Sequence, residues 1–172
     1  TDLAFDASGK ANPWYYEMQE VGFNYRISDI NCALGLSQLR KLEYFVDRRR
    51  ELADSYDNLF KPFETVLKPL KRVSNCSSSW HLYTVLIDFR KTGISRAELI
   101  FNLNKRGIGT QVHYIPVHWQ PYYRSRYGDL NLPGARKYYD RCLSLPLSTK
   151  MTPKDVKRVA NAVCTELGFN EC

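Results

Sequence analysis

Residues 28–59, SDINCALGLSQLRKLEYFVDRRRELADSYDNL, carry the longest regular pattern in the chain and set the frame for what surrounds them. Ile30, Leu34, Leu39, Leu42, Val46, Leu52, Tyr56 and Leu59 recur at steps of mostly three and four, the helical period. Ser28 can accept a hydrogen bond from an early backbone amide, and Asp29 suits the positive end of a helix, so the helix is expected to begin there. In its first half Ala33, Gly35 and Leu36 add small or apolar surface on other sides. A helix apolar on more than one side has more than one neighbour. The pattern predicts one long helix whose start faces another domain or a partner subunit.

Pro62 closes that helical region, and residues 60–79 read as a connection with one short strand at Thr65-Val66-Leu67. Trp80 to Phe89 is rich in β-branched and aromatic residues and reads as a strand, with His81 packed inside it. Ser95 and Glu98 form a capping box ahead of Leu99, Ile100 and Leu103, and Gly107 stops that helix. Ile108 to His113 reads as a second strand, Pro133 to Cys142 as a short helix, and Leu143-Ser144-Leu145-Pro146 as a third strand. Thr152-Pro153 opens a last helix with Asp155 in its first turn, and Gly168 ends it. Helices alternating with short strands predict an α+β domain, a small antiparallel sheet with helices packed on one side. Residues 1–27 form a loop segment, and residues 28–172 form the domain proper.

The chain of 172 residues suffices for one domain with a real core, or a domain plus an extension. The formal charge of +7 gives anionic partners a hearing. The basic residues are scattered, however, and Arg48-Arg49-Arg50 reads as a solvated helix face. No zinc-finger spacing, RNA-binding aromatic signature or helix-turn-helix supports nucleic acid. No apolar run is long enough to cross a bilayer. Five cysteines, Cys32, Cys76, Cys142, Cys164 and Cys172, contain no Cys-x-x-Cys pair. That argues against a disulfide framework and structural zinc and fits a reducing cytoplasm. Cys32 and Cys164 fall in helical patterns, where a thiol is usually a small buried apolar group. The start, Thr1-Asp2-Leu3-Ala4-Phe5, lacks both an initiator Met and a signal pattern, and the expectation is a piece of something longer.

Two segments carry polar groups suited to ligands. Gly22-Phe23-Asn24-Tyr25-Arg26 runs directly into the capped helix start, where free amides attract anions and a neighbouring Arg can clamp a carboxylate or phosphate. On those grounds alone an ordinary polar loop is the favoured reading. His113-Tyr114-Ile115-Pro116-Val117-His118 follows a predicted strand, and its side chains can bind phosphate, sugar hydroxyls or a metal. With no carboxylate or thiol nearby, a metal is disfavoured. Tyr122 and Tyr123 read as loop aromatics that stack on a ligand ring or pack structurally. No nucleophile elbow, phosphate-cradling Gly-rich loop or paired-carboxylate motif occurs.

Taken together, Trp14-Tyr15-Tyr16-Glu17-Met18-Gln19-Glu20, Gly22 to Arg26, Ser28-Asp29-Ile30, Ala33 to Leu39 and Arg48-Arg49 resemble the DegT/DnrJ/EryC1/StrS nucleotide-sugar aminotransferases. Gly107-Ile108, Gln111 to Tyr114, Pro116-Val117-His118 and Leu143 to Pro146 resemble the later landmarks of that family, in order. The resemblance covers nearly the whole chain, and it looks closest to enzymes aminating C4 of UDP-4-keto-6-deoxy-N-acetylhexosamines, as in pseudaminic acid synthesis. It implies the C-terminal small domain of a fold-type-I enzyme that uses pyridoxal phosphate to move an amino group from glutamate to a keto sugar, for bacterial cell-surface glycans. It further implies a homodimer with its active sites at the subunit interface. Asn24 would reach the partner's cofactor phosphate, and Arg26 would hold a glutamate carboxylate or the nucleotide phosphate. Tyr25 would shape that loop, and His113, Tyr114 and His118 would lie near the sugar nucleotide. The Schiff-base lysine of the family has no counterpart here, and Lys41 reads as a solvated helix residue. No catalytic residue is therefore assigned, and the isolated chain is expected to be inactive. A stand-alone binding or dimerisation module of the same fold is the competing expectation, ahead of a basic nucleic-acid-binding domain.

Overall fold

The computed structural model describes residues 3–170 and residue 172. The helical stretch after Ser28 is two helices, α1 (Asp29–Leu39) and α2 (Leu42–Phe60). Ser28 caps α1, its side chain accepting from the Asn31 amide at 3.4 Å. The interruption falls at Lys41, whose backbone (φ −104°, ψ 2°) leaves the helical region. Neither proline nor glycine marks it, so the apolar period runs through the break without a sign. Every residue from Gln19 to Tyr44 is exposed, whereas α2 buries Leu52, Ala53, Tyr56 and Phe60. The join thus separates an uncovered helix from a packed one.

Three strands form one antiparallel sheet in the order β1 (Leu67–Pro69), β2 (Tyr83–Ile87), β3 (Cys142–Leu145). Pro69 is tolerated because β1 is an edge strand. The sheet is smaller than the apolar runs suggest, for local reasons. Trp80 sits at φ +50°, off the extended region, and Asp88 starts a turn in which the Lys91 amide donates to its carbonyl at 2.9 Å. That turn leads into the short helix α3 (Phe89–Thr92). The expected strand at Ile108–His113 is a single bridge. Gln111 and Ser144 exchange both backbone hydrogen bonds, at 3.2 and 2.8 Å, while the Val112 amide turns to the side chain of Gln111.

Side chains alternate across the strands. Tyr83, Val85, Leu143 and Leu145 share the face that meets α2, where Tyr56 stacks on Tyr83 at 4.6 Å and on Phe60 at 5.8 Å. Helices α4 (Arg96–Lys105) and α7 (Pro153–Glu166) complete this core through Leu99, Leu103, Val156, Val159 and Val163. Each such side chain contributes roughly 1.5–3 kcal/mol by leaving water. Both helices open with capping boxes, Ser95 with Glu98 and Thr152 with Asp155. Thr84 and Ser144 point to the opposite face, which is covered by the loop holding His113 and by α6 (Pro133–Tyr139). The expectation of helices on one side only is corrected accordingly.

Three further expectations change. His81 is exposed, because the chain becomes extended only beyond it. Cys32 is exposed on α1. Cys164 is buried but is joined to Cys172 in a disulfide with a Cα separation of 5.9 Å, a pairing that spacing alone does not announce. Among the described residues no helix is long and apolar enough to cross a membrane.

Candidate functional site

Trp14 fastens the N-terminal segment to the domain. Its indole donates to the Tyr139 hydroxyl at 2.9 Å, and the Arg96 guanidinium lies 4.3 Å from its ring and 4.6 Å from that of Tyr139. Farther along, the Met18 amide donates to the Gln120 side-chain carbonyl at 2.8 Å and the Tyr122 amide donates to the Met18 carbonyl at 3.0 Å. Buried Gln120 thus lashes residues 15–18 beside the helix α5 (Pro121–Tyr127), which carries Tyr122 and Tyr123. Those two tyrosines are helical rather than loop residues, since Pro121 stands at the first helical position.

Between these segments opens a cleft of about 820 Å³, lined by Tyr15, Tyr16, His118, Gln120, Arg124 and Arg136 among others. His118 Nε2 is buried and has no hydrogen-bond partner among the described residues, so the cleft wall holds an unsatisfied polar atom. Tyr16 joins the cleft to Tyr114: burial raises its phenol pKa, and the nearby Tyr114 and Tyr139 hydroxyls add to the rise. Tyr114 meets His113 edge-on at 4.5 Å across a cis peptide bond, and it is exposed. His113 Nδ1 lies 2.9 Å from the buried Ser144 hydroxyl. Its pKa is lowered, chiefly by burial and then by the neighbouring His81. A neutral imidazole is therefore favoured, able to donate or accept a hydrogen bond according to its tautomer.

Asn24, Tyr25 and Arg26 stand apart from this cluster. They lie in the exposed loop before α1, and Asn24 and Arg26 make no hydrogen bond or ion pair among the described residues. Lys41 is exposed as well. Within one chain the structure brings His113, Tyr114 and, through the cleft, His118 into one region, and it leaves the Asn24–Arg26 loop free. Sequence reasoning missed Tyr16, Gln120, Arg124 and Arg136 as cleft residues and Ser144 and Thr84 as partners of His113. Only the neighbouring prolines and the alternation of β3 hinted at them, and neither signal names a pocket.

A small antiparallel sheet backed by helices matches the C-terminal region of an aminotransferase. The chain belongs to the DegT/DnrJ/EryC1/StrS aminotransferase family, whose model matches residues 3–164. It is 39% identical over 153 residues to the spore coat polysaccharide biosynthesis protein SpsC of Bacillus subtilis, covering 87% of this chain and 39% of SpsC. Helicobacter pylori PseC, an aminotransferase involved in the biosynthesis of pseudaminic acid, matches at a TM-score of 0.74 and 31% identity over 92% of this chain and 42% of PseC. Spr1654 of Streptococcus pneumoniae, solved in PLP and PMP forms, matches at a TM-score of 0.72 and 26% identity over 96% of this chain and 42% of Spr1654. The chain spans about two fifths of the length of these relatives.

Proposed function

We propose that this chain is the C-terminal small domain, with its leading active-site loop, of a pyridoxal phosphate enzyme that moves an amino group from glutamate to C4 of a UDP-linked 4-keto-6-deoxy-N-acetylhexosamine. The product would serve cell-surface glycan synthesis. The observation that carries this reading is the pairing of a polar cleft holding His118 and two arginines with an uncommitted Asn24–Arg26 loop at a helix N-terminus. The loop residues fit the cofactor's phosphate: the Asn24 amide and the Arg26 guanidinium offer donors that have no partner among the described residues, beside a helix start whose Asn31 amide is already taken by Ser28. The cofactor, when bound, supplies the electron sink for amino transfer. The chain's part is to bind and orient. Asn24 and Arg26 would hold anionic groups across a homodimer interface that also covers α1. His113, Tyr114 and His118 would position the sugar nucleotide. No lysine of this chain lies in a segment that resembles the family's Schiff-base motif, so the cofactor's covalent anchor is assigned outside this chain.

The test is to incubate the polypeptide that carries this sequence in its source cells with the keto sugar nucleotide and ¹⁵N-glutamate. Label entering the sugar supports the reading, and the isolated chain should give none. Absence of transfer by the cellular polypeptide with every C4-keto nucleotide sugar tried would overturn it.

A further inference from the structure

Gln120 stands where two short elements meet, and its side chain does the local work of neither. It follows the 3-10 turn Val117–Trp119, its backbone amide donating to the Val117 carbonyl at 3.1 Å, and it precedes Pro121 at the head of α5. That is a helix N-cap, a place usually taken by Ser, Thr, Asp or Asn. The Gln120 side chain does not cap α5. It is only 5% exposed, and its carbonyl oxygen accepts from the Met18 amide at 2.8 Å.

A backbone amide only donates, so the atom that meets Met18 is the oxygen, and the orientation of the Gln120 carboxamide follows. The nitrogen, with its two protons, is left over and makes no hydrogen bond among the described residues. The side-chain atoms there that are both buried and without a partner are Arg96 Nε, Thr110 Oγ1 and His118 Nε2. The Gln120 nitrogen is not one of them, so it reaches open space. The open space that Gln120 lines is the cleft of about 820 Å³.

The other cleft residues select the acceptor that suits this donor. Arg124 and Arg136 are matched by Glu17 and Asp129, and Arg124 is already closed on Asp129 at 2.8 Å. Tyr16 and Trp119 supply aromatic wall. A cleft with balanced charge and aromatic walls takes a neutral, planar group better than an anion. A neutral, planar group that accepts from an N–H is an amide-type carbonyl.

We propose that Gln120 is a specificity-determining residue whose free N–H group reads an amide-type carbonyl of the ligand seated in this cleft. The tether to Met18 holds the donor in place before the ligand arrives, so little rotamer freedom is lost on binding. The ligand's identity rests on the function proposed above: a UDP-linked N-acetylhexosamine carries such carbonyls in its acetamido group and in its uracil ring.

Gln120→Glu separates this role from the tether. A carboxylate oxygen still accepts from the Met18 amide, but no donor remains and a second acceptor faces the ligand. The polypeptide that carries this sequence in its source cells is titrated by calorimetry with UDP-N-acetylglucosamine and with UDP-glucose, which has a hydroxyl in place of the acetamido group. The wild type is expected to bind UDP-N-acetylglucosamine, and Gln120→Glu to weaken that binding at least about tenfold. If Gln120 reads the acetamido group, the wild type prefers UDP-N-acetylglucosamine and the variant loses the preference. If it reads uracil, both ligands weaken by the same factor. Unchanged affinity for both, or no binding of either by the wild type, overturns the proposal. Should Gln120→Glu not fold, a crystal structure of the wild-type polypeptide with UDP-N-acetylglucosamine decides: a ligand carbonyl on the Gln120 nitrogen supports the proposal, and a nitrogen without one overturns it. Label transfer with a KM untouched by Gln120→Glu leaves the proposed function standing without this residue. Gln120-dependent binding without label transfer leaves the site standing without that function.

Discussion

Arg96 sits where the N-terminal segment meets the domain, and replacing it with Met tests why that segment stays docked. Its guanidinium sits between the Trp14 and Tyr139 rings, at 4.3 and 4.6 Å from their centroids, and donates to the Tyr139 carbonyl and, at 3.4 Å, to that of Cys142. Among the described residues it forms no ion pair, and burial lowers its pKa. Two largely desolvated cation–π contacts contribute roughly 2–4 kcal/mol together, and one charged hydrogen bond adds about 1.5–3 kcal/mol. Against this stands the cost of removing an ion from water, several kcal/mol in a protein interior. Met keeps the stem and much of the volume and avoids the desolvation, so Arg96→Met should cost only about 1–3 kcal/mol. Arg96→Ala adds a cavity and should cost about 3–5 kcal/mol. For a domain of this size 1 kcal/mol moves the midpoint by about 2–4 °C. Thermal unfolding followed by circular dichroism therefore separates the two variants. The reasoning also requires Trp14→Leu and Arg96→Met to be non-additive by about 1 kcal/mol or more. An Arg96→Met protein as stable as the wild type would show that the rings return no more than desolvation takes, and the clamp would lose its energetic meaning.

Other expectations follow from the same structure. Asp155 accepts from the Thr152 amide, which holds its pKa below the ordinary 3.8. That contribution is complete above 3.8 and is lost as pH falls through the lower folded value, so Asp155→Asn should flatten the acid limb of the stability curve; an unchanged limb removes the linkage. The exposed Ile30, Leu34, Leu36 and Leu39 on α1 predict self-association of the isolated chain, which sedimentation velocity reads directly. Leu34→Asp with Leu39→Asp should leave a monomer, and a wild-type monomer at high concentration would count against a covered α1. Asn24→Ala and Arg26→Ala should leave the melting temperature of this chain unchanged, since neither side chain has a partner among the described residues, while the transfer of label proposed above should be lost. A lowered melting temperature would mean that both are structural.

What sequence could reveal tracks how local the cause is. The caps at Ser28, Ser95 and Thr152 were legible because a capping side chain and its amide lie three residues apart. The three strands were legible in position but not in length, because the turn at Asp88 and the conformation of Trp80 depend on neighbours far along the chain. The break at Lys41 was hidden because the apolar period continues across it. The cleft was hidden for a stronger reason: Gln120 meets Met18 across 102 residues, and Trp14 meets Tyr139 across 125. No window on the sequence spans such pairs, whereas the His113 to His118 segment, with its two histidines five residues apart, stands out locally.

The two groups of candidate residues differ in how they are held, and the difference bears on their work. His113 is fixed on its ring by the buried Ser144 hydroxyl and on its carbonyl by the half-buried Tyr138 hydroxyl, the condition for a group that must meet a ligand atom in one orientation. Asn24 and Arg26 are fixed by nothing among the described residues, although they adjoin a well-formed helix start. A long polar side chain left without partners retains about 2 kcal/mol of rotamer entropy, which a binding partner must overcome before gaining affinity. Such residues become precise only when a second surface supplies the missing contacts. The exposed apolar residues of α1 adjoin them in sequence, so the surface that covers α1 would also order the loop. Docking and site completion are then one event. A variant that blocks association through Leu34 and Leu39 should accordingly abolish anion binding at Arg26, although Arg26 itself is intact. Retained binding by that monomer would separate the two events and show that the loop is competent alone.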